Sequence, residues 1–263
     1  MKTRIISGLL MAPLLVLVVL GGYWLMAAAF IVGIMGLHEF YKGFEAAGAK
    51  PCRWLGYVSA PVLYGLHLAA PWADQFIIMW TVFVVIASMI YGFKVEERKL
   101  EDMTSTLMGI LYTVLLSFHI VLIDEQFPQF IWLVFLTAFG TDIMAYFTGM
   151  ALGRHKLCPK LSPKKSVEGA VGGVIGSMIL CGIYGYFVFG NGVWIGLVVG
   201  FFGSIVAQLG DLSASAFKRQ MGIKDYGNLI PGHGGILDRF DSVMYTAPAV
   251  YYCAIMIASL ARG

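Results

Sequence analysis

Long apolar runs are the feature that most limits how this chain can fold. A helix needs about 20 mostly apolar residues to cross a bilayer. Nine runs close to that length lie at roughly 5–20, 23–40, 54–70, 76–93, 104–123, 130–152, 169–189, 192–212 and 240–261. With 59% hydrophobic and 13% charged residues, the composition is far from that of a soluble domain. We expect an all-α, polytopic integral membrane protein with about nine transmembrane helices.

The basic residues predict the orientation of these spans. Nine spans place the N-terminus and the segments 41–53, 94–103, 153–168 and 213–239 on one side of the membrane. These segments hold 17 of the 18 Lys and Arg residues, and only Arg262 lies on the other side. Loops rich in Lys and Arg stay in the cytoplasm. We therefore expect a cytoplasmic N-terminus and a C-terminus on the outer side.

The first apolar run has a second interpretation. Lys2 and Arg4 before an apolar stretch also fit a secretory signal peptide. No cleavage site of small residues follows the run directly, although Ala27–Ala29 lies a few residues further on. We expect the run to be a retained span.

Other classes of site have little support in the sequence. The four cysteines are scattered without a C-x-x-C pair, so neither a disulfide framework nor a zinc site is indicated. The net charge of +3 follows from the basic cytoplasmic segments, some of which can attract anionic membrane lipids. No motif for reading nucleic acid is present.

Polar residues are unevenly distributed between the two halves of the chain. We interpret residues 1–130 as a transmembrane scaffold facing lipid, and residues 131–263 as the catalytic region with cytoplasmic loops 153–168 and 213–239. Glycines at three- and four-residue spacing recur after residue 168. Such spacing favours close helix packing, and ligand contact is the less favoured alternative.

The helix that enters the second loop carries three polar side chains. Asp211, Ser215 and Lys218 are spaced by four and three residues, so they share one helical face. A polar helix end with basic side chains reaching the membrane surface would explain part of this pattern. Asp211 resists that explanation, because a carboxylate between Leu209 and Leu212 needs a partner.

A glycine turn, Pro231–Gly235, precedes two further carboxylates. Asp238 and Asp241 lie three residues apart at the start of the last span. Either one alone is explained by the helix dipole, but together with Asp211 they favour a Mg²⁺ site. His233 has two interpretations, an acid–base group or a structural hydrogen bond within the turn.

A third group of polar residues begins inside an apolar run. Asp142 lies within the sixth span, where a charge is costly and usually functional. Lys164 and Lys165 precede Ser166, a candidate N-cap, so lysines and helix amides could together bind phosphate. Membrane topology alone would also explain the two lysines.

These motifs together resemble one enzyme family. Residues 211–241 are similar to the signature of the phosphatidate cytidylyltransferases (CDP-diacylglycerol synthases), from Gly210-Asp211 through the glycine turn to the final carboxylates. Asp142 with Tyr146 and Phe147, and the stretch Leu161–Gly169, also match. The matched signature positions are Ser215, Lys218, Arg219, Lys224, Asp225, Asp238, Arg239 and Asp241.

The resemblance implies a multi-pass enzyme that converts CTP and phosphatidate into CDP-diacylglycerol and pyrophosphate. It further implies a homodimer and Mg²⁺ held by Asp211 and Asp238, with a monovalent cation such as K⁺ alongside. We expect a bacterial inner membrane as the location, and the basic loops predict a site that faces the cytoplasm. Asp241 joins these two as a metal ligand. The catalytic set is expected to be Asp211, Ser215, Lys218, Arg219, Lys224, Asp225, His233 and Arg239. The substrate-binding set is expected to be Asp142, Lys164, Lys165, Ser166, Glu168, Gly234 and Gly235.

Two alternatives differ in their substrates. Related membrane enzymes use CTP on isoprenoid alcohols or ether lipids. The side chains of the membrane spans select the lipid acceptor, and the sequence does not show which acceptor they bind. A cation-coupled transporter would also place carboxylates such as Asp142 and Asp211 in spans. Transporters usually show broken helices in two repeated halves, whereas the charges here concentrate in the C-terminal half.

The predicted topology can be tested with single cysteines. In a background without native cysteines, Lys165→Cys and Lys224→Cys should react with a membrane-impermeant maleimide only when the cytoplasmic face is accessible, because both positions lie in loops predicted to be cytoplasmic. Labelling from the outer face of intact cells would contradict the orientation.

Overall fold

Helices account for most of the computed structural model, which describes residues 15–70, 75–190, 192–229 and 234–260. In the first part of the chain the helices are α1 (Gly22–Ala46), α2 (Arg53–Ala69), α3 (Gln75–Tyr91), α4 (Leu100–Gly109) and α5 (Leu116–Gln126). A π-helical segment, Ile110–Leu115, joins α4 to α5, so Leu100–Gln126 runs as one helix. A segment with wider turns of this kind interrupts the regular hydrogen-bond ladder without ending the helix.

The second part of the chain adds four helices and a small hairpin. A 3₁₀ turn, Pro128–Phe130, leads into α6 (Ile131–Leu152). Strands β1 (Lys156–Cys158) and β2 (Ser162–Ser166) then pair antiparallel. The remaining helices are α7 (Val167–Phe189), α8 (Val193–Gln220) and α9 (Leu237–Leu260).

The described helices confirm a multi-pass helical membrane protein. Six are long and apolar enough to cross a bilayer: Gly22–Ala46, Leu100–Gln126, Pro128–Leu152, Val167–Phe189, Val193–Gln220 and Leu237–Leu260. The predicted spans 54–70 and 76–93 correspond to α2 and α3, which have only 17 residues each. The predicted span 5–20 lies largely outside the described residues. The count of nine and the orientation of the termini therefore stay predictions.

The chain divides into two compact units, each built from two chain segments. One unit combines the chain up to Phe118 with Gln220–Arg239, and the other combines His119–Arg219 with the chain from Phe240. The boundaries fall within the continuous helix Leu100–Gln126 and within α9, so helices pass from one unit into the other.

Buried aromatic side chains with hydrogen-bonded polar ends organise the first unit. The Tyr41 hydroxyl donates to the carbonyl oxygen of Thr106 at 2.9 Å, and Trp80 Nε1 donates to the carbonyl of Ser59 at 2.8 Å. Both rings are buried. A buried hydroxyl or indole N–H is costly unless it is paired, so these bonds fix how α1, α2, α3 and α4 pack.

Glycine contacts organise the second unit, as the sequence predicts. A Cβ added at Gly173 of α7 would lie 3.0 Å from the carbonyl oxygen of Thr141 in α6. One added at Gly200 of α8 would lie 2.8 Å from the Cα of Met178 in α7. Helices approach this closely only where a side chain is absent. The glycines therefore set the spacing of α6, α7 and α8.

Two elements differ from the sequence prediction. Helix α1 continues to Ala46, although we expected the loop to begin at residue 41. Helix α8 continues to Gln220, beyond the predicted membrane segment that ends at residue 212, and so includes Ser215 and Lys218, as their helical spacing predicts. Gly43 lies within the α1 extension without ending the helix, and α8 ends just before Gly222, whose φ of 70° is left-handed. The predicted loop 153–168 contains the β1–β2 hairpin, a departure from an all-α chain.

We expect Gly200→Ala to destabilise the second unit by about 1–3 kcal/mol, because the new methyl group overpacks against the backbone of α7. Thermal unfolding in detergent measures the change. Gly65→Ala is the matched control, since a Cβ at this helical glycine meets nothing within 4 Å. Equal unfolding midpoints for the two variants would contradict the role of close glycine packing.

Candidate active site

A cavity of about 370 Å³ lies within the second unit, bordered by α6, the hairpin, α7 and α8. Its wall combines charged and polar side chains with apolar ones such as Tyr146, Met150 and Leu157. The polar lining residues are Asp142, Lys164, Lys165, Ser166, Gln208 and Asp211. Five of these six were predicted as site residues, and Gln208 was not. The structure thus brings the predicted lysine pair together with Asp142 and Asp211.

An ion pair crosses this cavity. Lys165 Nζ on β2 contacts a carboxylate oxygen of Asp211 on α8. About a quarter of each side chain remains exposed, 25% for the lysine and 29% for the aspartate. The pair confirms that Asp211 needs a partner inside an apolar helix.

Ser166 begins α7 as its N-cap, as predicted. Its backbone is extended, and its Oγ accepts a hydrogen bond from the Gly169 N–H at 3.1 Å. The neighbouring Val167 N–H donates to the carbonyl oxygen of His155 at 2.9 Å. Two amides of the helix start are therefore already used within the protein. The predicted phosphate site therefore has fewer amides to offer at this helix start than the sequence suggested, beside its two lysines.

Glu168 links the start of the hairpin to α7. Its carboxylate accepts hydrogen bonds from the backbone N–H groups of Arg154 at 3.0 Å and His155 at 3.2 Å. The His155 ring lies 2.6 Å from the same carboxylate through Nδ1. These contacts fix the chain that leads into β1. The predicted role of Glu168 in substrate binding stays a prediction beside this structural one.

Asp241 adds a further carboxylate to the second unit. It is buried, and its Oδ1 accepts the N–H of Ser242 at 2.7 Å. Its charge is repelled by Asp211 and Asp142 and attracted by Lys218. Gly210 allows this approach, since a Cβ there would lie 2.9 Å from the Asp241 carbonyl oxygen. Three carboxylates and a lysine therefore share one electrostatic environment.

The donor set is compatible with a magnesium ion, although it does not form a complete cage. Among the described residues, no group of three or more His, Cys, Asp or Glu side chains is arranged to hold a metal. Mg²⁺ usually takes only one or two carboxylates and completes its coordination with water and substrate phosphate. Asp211 and Asp241, which interact electrostatically, are two carboxylates of the kind that such a site would use. The predicted ligand set Asp211, Asp238 and Asp241 stays a prediction.

In the first unit, Asp238 holds the glycine turn. Its Oδ2 accepts hydrogen bonds from the backbone N–H groups of Gly235 at 2.9 Å and Tyr226 at 2.8 Å. Gly234 has a φ of 84°, a left-handed conformation that a residue with a side chain rarely adopts. The carboxylate therefore ties the segment after α8 to the first turn of α9.

Glu39, a residue that the sequence interpretation did not select, also holds this turn. Its carboxylate accepts the N–H groups of Ile236 at 2.9 Å and Leu237 at 2.8 Å. Glu39 is buried, with 7% of its surface exposed. The signal for it was available, because it is an acidic residue inside a predicted span.

The other predicted site residues have simpler surroundings. Lys224, Asp225 and Arg219 are exposed, while Ser215 and Lys218 are half-buried on α8. The Nε of Arg239 is buried and has no hydrogen-bond partner among the residues that the structure describes. His233 lies outside the described residues. The roles of all seven stay predictions.

We expect Glu168→Gln to loosen the hairpin, because a neutral amide is a weaker acceptor for the Arg154 and His155 N–H groups than a carboxylate. Hydrogen exchange of the amides in residues 154–158 should accelerate. Glu96→Gln, at an exposed glutamate, is the control. Unchanged exchange in residues 154–158 would show that the carboxylate does not hold the hairpin.

Comparison with known proteins identifies the family of this chain. The profile of the Cytidylyltransferase family matches residues 2–257. The phosphatidate cytidylyltransferase of Staphylococcus haemolyticus (strain JCSC1435) is 34% identical over 251 residues, covering 94% of either chain. The phosphatidate cytidylyltransferase of Synechocystis sp. (strain ATCC 27184 / PCC 6803 / Kazusa) is 32% identical, and the alignment covers 97% of this chain and 96% of that protein. The phosphatidate cytidylyltransferase of Staphylococcus aureus (strain COL) is 33% identical, and the alignment covers 94% of each chain. The chain belongs to the cytidylyltransferase family.

Proposed function

We propose that this protein transfers the cytidylyl group of CTP to phosphatidate, giving CDP-diacylglycerol and pyrophosphate. Membership of the cytidylyltransferase family supports this reaction, as do the names of relatives aligned over nearly the full chain. The reaction serves phospholipid synthesis and requires a protein embedded in the membrane that holds its lipid substrate. The six apolar helices agree with that requirement.

One observation carries the proposal, namely the mixed character of the cavity in the second unit. Lys164 and Lys165 supply positive charge for phosphate groups, and Tyr146 and Met150 supply apolar surface. A nucleotide alone would need little of that apolar wall, and a lipid tail alone would need no charge. The combination suits a reaction between a polyanion and the head group of a lipid.

The chemistry is a substitution at phosphorus. A phosphate oxygen of phosphatidate forms a bond to the α-phosphorus of CTP, and the bond from that phosphorus to the bridging oxygen of pyrophosphate breaks. Negative charge grows on the leaving group and is already present on the attacking group. Lys164 and Lys165 in the cavity wall, and Lys218 in the electrostatic environment of Asp241, are cations that could neutralise it. Positioning and charge neutralisation are the main requirements of such transfers.

We further propose that Asp211 and Asp241 hold Mg²⁺, with Asp238 as the ligand implied by the family resemblance. A bound divalent cation would supply additional neutralisation of the phosphate oxygens. Two of these carboxylates already interact electrostatically in the second unit, which supports their assignment. A monovalent cation such as K⁺ remains part of the same proposal.

The remaining parts of the proposal concern the membrane topology, the cellular location and the oligomeric state of the protein. We propose nine spans, a cytoplasmic N-terminus and an active site that faces the cytoplasm, where CTP is available. Concentration of Lys and Arg in the predicted cytoplasmic segments supports this orientation. The bacterial sources of the relatives support a bacterial inner membrane. The homodimer rests on the family resemblance alone.

The activity can be tested with purified protein in mixed micelles, labelled CTP and Mg²⁺. We expect phosphatidate to yield labelled CDP-diacylglycerol, and EDTA to stop the reaction until Mg²⁺ is restored. Asp211→Asn should lower kcat by about 100-fold or more, as losing a charged group that acts on the transition state typically does. Glu125→Gln is the matched control, an exposed carboxylate of the same unit outside the cavity.

Each outcome bears on a different part of the proposal. Product formation with an isoprenoid alcohol or an ether lipid, and not with phosphatidate, would contradict the acceptor. Wild-type turnover by Asp211→Asn would contradict the assignment of that carboxylate. Full activity in EDTA would contradict the metal.

A further inference from the structure

Two carboxylates meet at the glycine turn of the first unit, although one would be enough to cap a helix. Glu39 accepts the N–H groups of Ile236 and Leu237, and Asp238 accepts those of Gly235 and Tyr226. Both acids are buried, with 7% of their surface exposed. Their charges also repel each other. Burying two like charges side by side is costly, so the arrangement requires an explanation beyond helix capping.

The division of hydrogen bonds between the two acids suggests that explanation. Glu39 takes the two N–H groups that directly precede Asp238 in the chain. With Ile236 and Leu237 held, the backbone of Asp238 has a fixed direction. Both of these backbone bonds to Asp238 end on its Oδ2.

Glu39 is itself firmly placed by the residues that follow it in α1. The Phe40 ring is fully buried and lies 6.3 Å from the ring of Tyr226, between centroids. Tyr41 is also fully buried, and its hydroxyl bonds to the Thr106 carbonyl oxygen. Rotation or translation of α1 at this level would break both contacts. The Glu39 carboxylate therefore has a defined position from which to hold the turn.

Two glycines between α8 and α9, Gly227 and Gly235, lie against the Glu39 carboxylate. A Cβ added at Gly227 would lie 2.6 Å from Glu39 Oε1, and one added at Gly235 would collide with both carboxylate oxygens. Gly235 was predicted to belong to the substrate-binding set. In the structure, its missing side chain makes room for a carboxylate of the protein itself.

We propose that Glu39 is a positioning residue for cytidylyl transfer, whose carboxylate fixes Ile236 and Leu237 and so orients Asp238 for its role in the reaction. This inference rests on the proposed function, because it assumes that Asp238 takes part in that reaction. Glu39 touches neither substrate in this scheme. It acts through the backbone of the glycine turn.

The test compares Glu39→Gln with wild-type protein. The amide keeps the size of the side chain and one oxygen acceptor, but it loses the charge and leaves one N–H without an oxygen partner. We expect kcat for CDP-diacylglycerol formation to fall about tenfold or more, the factor that weakening of a charge-assisted hydrogen bond corresponds to. The KM for CTP should change by less than about threefold, since uniform substrate binding is not affected.

Hydrogen exchange supplies a readout that does not depend on turnover. The amides of Ile236 and Leu237 should exchange faster in Glu39→Gln, while those of α2 and α3 should keep their wild-type rates. Glu45→Gln is the matched control, because Glu45 lies on the same helix and pairs with Arg53 rather than with the turn. This control should leave both kcat and the exchange at 236–237 unchanged.

Three results would overturn the inference. They are wild-type kcat in Glu39→Gln, unchanged exchange at Ile236 and Leu237, or faster exchange throughout α2 and α3, which would indicate general unfolding. A wild-type protein that forms no CDP-diacylglycerol would contradict the proposed function and remove the positioning role with it. An active wild type with an equally active Glu39→Gln would contradict the role of Glu39 alone.

Discussion

A carboxylate inside an apolar helical protein needs hydrogen-bond donors or a cation, and this requirement shapes most of what is distinctive in the structure. Asp211 meets it with the ammonium of Lys165. Asp238 and Glu39 meet it with backbone N–H groups, most of them from the residues just before α9 and from its first residue. Asp102 bonds to the N–H groups of Lys50 and Lys99. In each case the acid joins chain segments that hydrophobic contact alone would leave free to slide.

Glycine packing complements these polar contacts within the second unit. Apolar side chains gain little by leaving lipid for one another, so helices in a membrane associate through close van der Waals contact. Gly173 and Gly200 supply that contact along α7 and α8. Close spacing of the helices fixes Asp142 and Asp211 at the cavity wall. A looser bundle would hold the same residues without a defined distance between them.

The sequence predicted those features that depend on local pattern. Apolar runs located the helices, and spacing placed Asp211, Ser215 and Lys218 on one helix. Ser166 was identified as a cap from its position before an apolar run, and the motifs indicated the family. Local patterns also predicted that Asp211 needs a partner, but they could not name Lys165.

The sequence interpretation missed features that depend on which segments of the chain pair with each other. The β1–β2 hairpin lies in a short polar stretch with little alternation of apolar and polar residues, so no strand signal stood out. Glu39 was not selected although it is an acidic residue inside a predicted span, and its partners could not be predicted because they are backbone N–H groups, which every residue except proline carries. The end of α1 was misplaced because hydropathy falls before the helix stops.

The bond between Glu39 and Leu237 joins residues 198 positions apart. The ribosome synthesises α1 long before α9. During synthesis the Glu39 carboxylate therefore lacks the N–H groups of Ile236 and Leu237 as hydrogen-bond donors. Completion of the turn is thus a late event in biogenesis. A chain that stops short of Ile236 and Leu237 would leave the Glu39 carboxylate without these two donors, so the last helix completes a polar contact that the first helix depends on.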